Sequence, residues 1–360
     1  MDKVAENLHM AKEEPIITKA RYNFIDVLRV IACFLVIVNH TNSWIFTTTM
    51  PTPCVTWYVS LTYFFISKIA VPIFIMISGY TMLDQVYSYK KIGQKIFRTV
   101  AALFLFSLVY YLGHYQVGTR TFISVSDFIL SVVQYPQTNA FWYMYMYIGL
   151  LIMLPFLQKL AANLSKKDVE IFIGLCLLIT GVWPILEHWS PLFVYSKLVD
   201  FALFDSFVGI MFLGYYMKKY ATPTKTKLVA SIVVFIACTA FNVIMTRREY
   251  DIMGGQNYLF YDDRVYLPIV MASAAVFYMV SCMKVEGLFA KMMKILGGCS
   301  FGIYLLADFL LGRLQWMWNV LCEKGMDQFI AIVLYEFFIF GLAFVITFIL
   351  KLIPGIKKIV

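Results

Sequence analysis

Long apolar runs separated by short polar segments set the architecture of this chain before any motif is considered. Ten runs reach the roughly 20 residues a helix needs to cross a bilayer. They are 24–47, 57–83, 96–117, 139–158, 169–189, 199–217, 228–246, 264–283, 298–320 and 328–353. The pattern predicts an all-α integral membrane protein with ten transmembrane helices. The first run lacks a small-residue cleavage site, is too long for a signal peptide and contains Arg29, so it is expected to stay in the chain. Residues 1–22 then form a polar arm, 23–354 one membrane domain, and 355–360 a short tail. The stretch 121–135 differs in kind. Phe122, Val125, Phe128, Ile129, Val132 and Val133 recur at helical spacing, with Ser124, Asp127 and Ser131 opposite. That predicts a short amphipathic helix on the outer membrane surface, either covering an external cleft or serving as an ordinary interfacial linker. The longest outer loop, 247–263, is polar and rich in charge and glycine, and no internal repeat is evident.

Composition agrees: 61% of residues are hydrophobic and 14% charged, against about a quarter charged in soluble proteins. The charges also carry direction. Lysines and arginines gather before the first run (Lys3, Lys12, Lys19, Arg21), between the second and third (Lys90, Lys91, Lys95, Arg98), and in every second connection thereafter. The alternate connections hold only Arg120, Lys197, Arg247, Arg248, Arg264, Arg313 and Lys324. By the positive-inside rule both termini are cytoplasmic, as an even number of spans requires. The net charge of +9 is therefore topological. It belongs to a chain whose partners include membrane lipids, not to a nucleic-acid-binding stripe. The seven cysteines show no metal or redox spacing; Cys54 and Cys322 fall in outer loops and are able to pair, though nothing requires it. His9, His40, His114 and His188 are dispersed and offer no metal site.

Polar groups inside the runs are the candidates for chemistry, because ionisable residues at membrane depth are costly and usually face a polar cavity. The first run holds two, Arg29 and His40. Eleven positions at ~100° each bring them to the same helix face, about 16 Å apart along the axis. Asn23 is positioned to cap this helix and Asp26 to favour its positive end; Asp26 is also an i,i+3 partner for Arg29, so a purely structural role explains Asp26 well. His40 suits general-base or proton-relay work. Lys68 lies amid the second run, where Pro72 is expected to kink the helix and Ser78-Gly79 permits close approach by a helix or cofactor. Lys90, Lys91, Lys95 and Arg98 either anchor topology or bind phosphate. Four acids fall within runs: Asp200, Asp205, Asp308 and Glu336, any of which is able to neutralise Arg29 or Lys68 or to orient His40. Gly298-Cys-Ser-Phe-Gly302 has the form G-x-S-x-G but opens a membrane helix instead of a strand–turn–helix elbow, so Gly298 and Gly302 read as small residues for helix packing.

Taken together, these residues resemble the acyltransferase-3 family of membrane acyltransferases. Its hallmark is an arginine, ten residues and a histidine on the first membrane helix, as Arg29 and His40 stand here. Ile25-Asp-Val-Leu-Arg-Val-Ile-Ala, Lys68-Ile-Ala-Val-Pro-Ile-Phe-Ile-Met-Ile-Ser-Gly-Tyr80, Lys95-Ile-Phe-Arg98, Phe141-Trp142 leading to Pro155, and Ser300-Phe-Gly-Ile-Tyr304 are similar to family segments in the same order. Many members carry arginine in place of Lys68. Members often carry a histidine three residues after the tyrosine of the last motif; here Ala307 stands there, with Asp308 beside it.

The resemblance implies transfer of an acyl group, usually acetyl, from cytosolic acyl-CoA to a hydroxyl of a surface glycan or its lipid-linked precursor. The setting is a bacterial inner (cytoplasmic) membrane, with acetyl-CoA as a substrate and no permanently bound cofactor or metal. On that basis Lys95 and Arg98 are expected to dock the CoA phosphates, with Lys68 and Ser78 along the donor path. Arg29 would hold a phosphate or polarise the thioester, and His40 would act as general base or acyl carrier. Trp142 is expected to stack on a sugar, with Asp26, Tyr304 and Asp308 as further binding positions. A rival reading is a proton-coupled exporter in which His40 and the buried acids form a relay. The pattern does not specify an oligomeric state.

Overall fold

The computed structural model describes residues 22–41, 43–85, 87–116, 124–190 and 206–359. The N-terminal arm up to residue 21, and Arg120, Phe122, Lys197, Asp200 and Asp205, lie outside the described residues. The first helix, α1 (Asn23–Thr41), is followed by a π-turn at Ile45–Thr49. The second run forms two helices, α2 (Val55–Ser67) and α3 (Ala70–Met82). Pro72 explains the break: it has no N–H to donate to the Lys68 carbonyl one turn earlier, and its ring crowds that turn. Lys68 accordingly stands at the end of α2 and not in mid-helix.

Next come α4 (Tyr89–Gln116), the short α5 (Val125–Gln134) and α6 (Trp142–Asn163). The expected amphipathic helix is present in α5, capped by Ser124, with Phe128 and Val132 buried and Val125, Ile129, Leu130 and Val133 exposed. Then follow α7 (Lys166–Cys176), which continues through a π-turn into α8 (Trp183–Trp189), and α9 (Ser206–Tyr220). The chain closes with α10 (Lys225–Ile252), α11 (Leu267–Ser281), α12 (Gly287–Glu323) and α13 (Gln328–Leu350).

Among the described residues nine helical segments are long and apolar enough to cross a membrane. Each matches one of the expected runs except 199–217. The described part of that run is α9, which starts at the first residue described after the break, so nine of the ten expected spans are seen among the described residues. Helix α9 packs along α3, with Ile210, Met211 and Phe212 fully buried.

The contact of α3 with α9 is reciprocal. A Cβ on Gly79 would stand 1.7 Å from the Met211 carbonyl oxygen, and one on Gly214 would stand 2.0 Å from the Met76 carbonyl oxygen. The Ser78-Gly79 approach is therefore to a helix. The other small-residue reading holds in part. Gly302 meets Thr347 of α13, but it is Gly297, not Gly298, that meets the Asp26 backbone of α1; nothing lies within 4 Å of a Cβ built on Gly298.

Helix α1 is the centre of the bundle, packing against α2, α3, α11, α12 and α13. Leu28, Ala32, Ile37 and Val38 are fully buried. Asn23 does not act as the expected side-chain cap: its amide donates to the Val285 carbonyl at 3.0 Å, fastening the start of α1 to the connection before α12. One other detail departs from the sequence reading. Helix α10 runs on to Ile252, so the first part of the expected outer loop is helical. Cys54 and Cys322 are both free thiols. A second, smaller core of Phe46, Trp57, Leu61, Phe64, Phe65, Ile185 and Tyr261 holds the segment that leads into α11.

Candidate active site

A cavity of about 1070 Å³ runs beside α1, and both Arg29 and His40 line it. The shared helix face deduced from spacing thus opens into a real cavity, whose wall mixes charged and apolar side chains. Asp26, Lys68, Ser78, Lys95, Arg98, Trp142 and Tyr304 line the same cavity, so the structure brings together side chains from α1, α2, α3, α4, α6 and α12. Asp308 is the one candidate not on the wall, but it reaches His40.

One end of the cavity is organised around Arg29. Its guanidinium donates to Asp26 Oδ1 at 3.0 Å, and Asp26 is almost fully buried while Arg29 is partly open. The partner of Arg29 is thus the acid on its own helix, not one of the acids in later runs. The Ser78 hydroxyl donates to the Phe74 carbonyl at 3.1 Å, and Tyr147, also on the wall, lies near Ser78, Arg29 and Arg98, which places Ser78 at this end. Lys95 sits 5.3 Å from the Tyr87 ring. Arg98 is exposed and donates from Nε to the Ile359 carbonyl at 3.2 Å. Lys218, also on the wall, pairs with Asp84 at 3.1 Å.

The other end is organised around His40, which has Asp308, Lys68 and Arg264 as its charged neighbours. His40 Nδ1 lies 3.8 Å from Asp308 Oδ1, an electrostatic contact too long for a hydrogen bond. Asp308 Oδ2 in turn accepts from the Thr138 hydroxyl. Tyr110 of α4 contributes to this placement. Its hydroxyl donates to the Leu305 carbonyl at 3.2 Å and accepts from the Phe309 N–H at 2.8 Å. A side chain is thereby inserted into the i→i−4 ladder of α12 at the turn that bears Asp308, a recognised cause of local helix bending.

Lys68 belongs to this end, although the sequence reading groups it with the donor-side lysines. Its ammonium bonds Asp262 at 3.1 Å and lies 4.1 Å from the Phe64 ring. The last turn of α1 is held from behind. The Thr41 hydroxyl donates to Glu336 Oε1, and the Tyr63 hydroxyl donates to Glu336 Oε2 at 3.1 Å. Glu336 is therefore a buried strut beneath His40. Tyr304 donates to the Ala140 carbonyl, tying α12 to the turn before α6.

Trp142 lines the cavity, yet the Arg264 guanidinium covers its ring at 4.0 Å and Phe207 approaches at 6.0 Å. The ring expected to receive a sugar receives an arginine. Arg264 and Asp262 escaped the sequence reading because they lie between a loop and a span, where a charge counts as a topology marker. Asn39 escaped because it precedes a more conspicuous histidine. It too lines the cavity, and its Oδ1 is buried with no hydrogen-bond partner among the described residues. The three adjacent charges Asp262-Asp263-Arg264 at the head of an apolar run were the available signal.

The fold and this cavity define a multi-pass membrane protein with a cation-lined, histidine-bearing chamber. The acyltransferase-domain profile of the acyltransferase-3 family matches residues 22–352, nearly the whole chain, and the protein belongs to that family: it is a membrane acyltransferase. No curated protein sequence and no solved structure matches the chain.

Proposed function

We propose that the protein is an O-acyltransferase of a bacterial cytoplasmic membrane. It would move an acyl group, acetyl in the simplest case, from cytosolic acyl-CoA to a hydroxyl of a surface glycan or its lipid-linked precursor. The supporting observation is the wall of the cavity: among the described residues it carries Arg29, Lys68, Lys95, Arg98, Lys218 and Arg264 but a single carboxylate, Asp26. A ligand as anionic as CoA complements such a wall. The loop charges assign the Lys95–Arg98 end to the cytosol, and the His40 end then faces outward.

In this reading the CoA phosphates rest on Lys95 and Arg98, with Arg29 further in and the acyl thioester extending toward His40. A neutral His40 takes the proton of the acceptor hydroxyl as its oxygen attacks the thioester carbonyl. The C–S bond breaks, the C–O ester bond forms, and the proton passes to the departing thiolate, leaving free CoA. Asp308 stabilises the imidazolium that exists in passing, while Lys68 and Arg264 set the local field.

The direct test incubates purified protein with acetyl-CoA and a glycan acceptor and measures free thiol. Acceptor-dependent CoA release is expected; movement of a saccharide with no dependence on CoA would favour a transporter instead. Lys95→Gln with Arg98→Gln should raise the KM for acetyl-CoA about tenfold with little change in kcat. Each exposed contact contributes modestly, and the two act on one ligand. Arg29→Lys should lower kcat/KM by about tenfold or more, since lysine keeps the charge but loses the planar fork that a phosphate or Asp26 engages. Unaltered turnover in that variant would reduce Arg29 to a generic charge.

A further inference from the structure

At the His40 end, two cations stand on the cavity wall, and they differ in what they have left to offer. Lys68 is committed to Asp262 at 3.1 Å. Arg264 is half-buried, lines the cavity and holds its guanidinium carbon over the Trp142 ring, 4.0 Å from the ring centre, and among the described residues no carboxylate is within salt-bridge distance of it. A guanidinium stacked on an indole is held in plane, and its N–H edges point away from the ring it covers. It can meet a carboxylate or phosphate with two parallel hydrogen bonds at little conformational cost. The segment that carries Arg264 is anchored to match. Tyr261 is buried in the smaller core, accepts from Trp189 Nε1 at 2.7 Å and donates to Glu249 at 3.3 Å, and Glu249 also holds His188 at 3.0 Å.

We infer that Arg264, stacked on Trp142, is an oxyanion-binding subsite on the acceptor side. The acceptor is then an anionic saccharide whose carboxylate or phosphate docks on Arg264 while a neighbouring hydroxyl reaches His40. This rests on the reading of the His40 end as the acceptor end. Arg264 is a specificity-determining residue in this account. Trp142 serves by fixing the guanidinium and not by stacking on the sugar. An uronic-acid-type carboxylate and a glycosyl phosphate share this chemistry, and the two are separated by the choice of probe.

The experiment titrates purified full-length protein, with saturating CoA occupying the Lys95–Arg98 end, against glucose, glucuronate and glucose 1-phosphate. At least one charged sugar is expected to bind about tenfold tighter than glucose or better, the scale of a charge-assisted pair. Glucuronate preference identifies a carboxylate acceptor and glucose 1-phosphate preference a phosphate. The preference should vanish in Arg264→Gln. In Arg264→Lys it should fall most for glucuronate, which needs the planar fork. Unfolding midpoints check that each variant is folded, and the lysine variant carries the test if the glutamine variant is not.

Charged sugars that bind no tighter than glucose, or a preference that survives Arg264→Gln, would overturn the inference. So would a preference lost in Arg98→Gln but kept in Arg264→Gln, which would place the anion at the donor end. Failure of acetyl-CoA to bind would instead strike the acyl-CoA reading, and the sugar preference would be judged separately.

Discussion

Replacing His40 by alanine is expected to abolish acyl transfer while leaving the protein folded and able to bind acetyl-CoA. Loss of a positioned general base costs about 10²–10⁴-fold. Here the residual rate should sit at the low end, because no other imidazole lines the cavity among the described residues. Folding should survive, since His40 is partly open to the cavity and makes no hydrogen bond among the described residues, its contact with Asp308 standing at 3.8 Å, while α1 is held by its apolar faces and by Thr41 on Glu336. Acceptor-dependent thiol release, measured beside acetyl-CoA binding, separates the two effects. A variant that binds donor normally and transfers at the native rate would remove His40 from the chemistry.

Gly79→Ala is expected to be the most damaging small substitution in the bundle. The added methyl would stand 1.7 Å from the Met211 carbonyl oxygen, a backbone atom that no rotamer change can move aside. Helices α3 and α9 must separate, and overpacking of this kind costs about 1–3 kcal/mol or more. Gly214→Ala, against the Met76 carbonyl oxygen at 2.0 Å, should behave alike. By contrast, Gly149→Ala on α6 meets nothing within 4 Å and should be neutral or slightly stabilising through helix propensity. Unfolding midpoints in one detergent compare the three; equal midpoints for the Gly79 and Gly149 variants would show that the α3–α9 crossing is looser than described.

The pairing of Arg29 with His40 was legible because a helix is rigid: fixed rise and rotation turn sequence spacing into a shared face. The amphipathic α5 and most spans were legible for the same reason, through periodicity and hydropathy. What periodicity does not contain is where one helix lies against another. The family resemblance puts Lys68 on the donor path; the structure places it at the end of α2, with its charge near that of His40. Trp142 reads as a sugar platform in the sequence, where nothing local shows that Arg264, far along the chain, covers its ring. Asp308 was suspected from its position beside Ala307, and its approach to His40 depends on Tyr110 and Thr138, whose partners no local pattern reveals. The boundaries of α12 were missed because its basic first turns, from Gly287, are helical without being apolar.

The central claim is that donor and acceptor meet at His40 from opposite sides of the membrane. Proteoliposomes with protein in one orientation test it most directly, with radiolabelled acetyl-CoA supplied only on the Lys95–Arg98 side and a glycan acceptor only on the other. The account predicts label in the acceptor, free CoA retained on the supply side, and neither in His40→Ala. Transfer only when both substrates share one side, or label crossing equally well in His40→Ala, would contradict it.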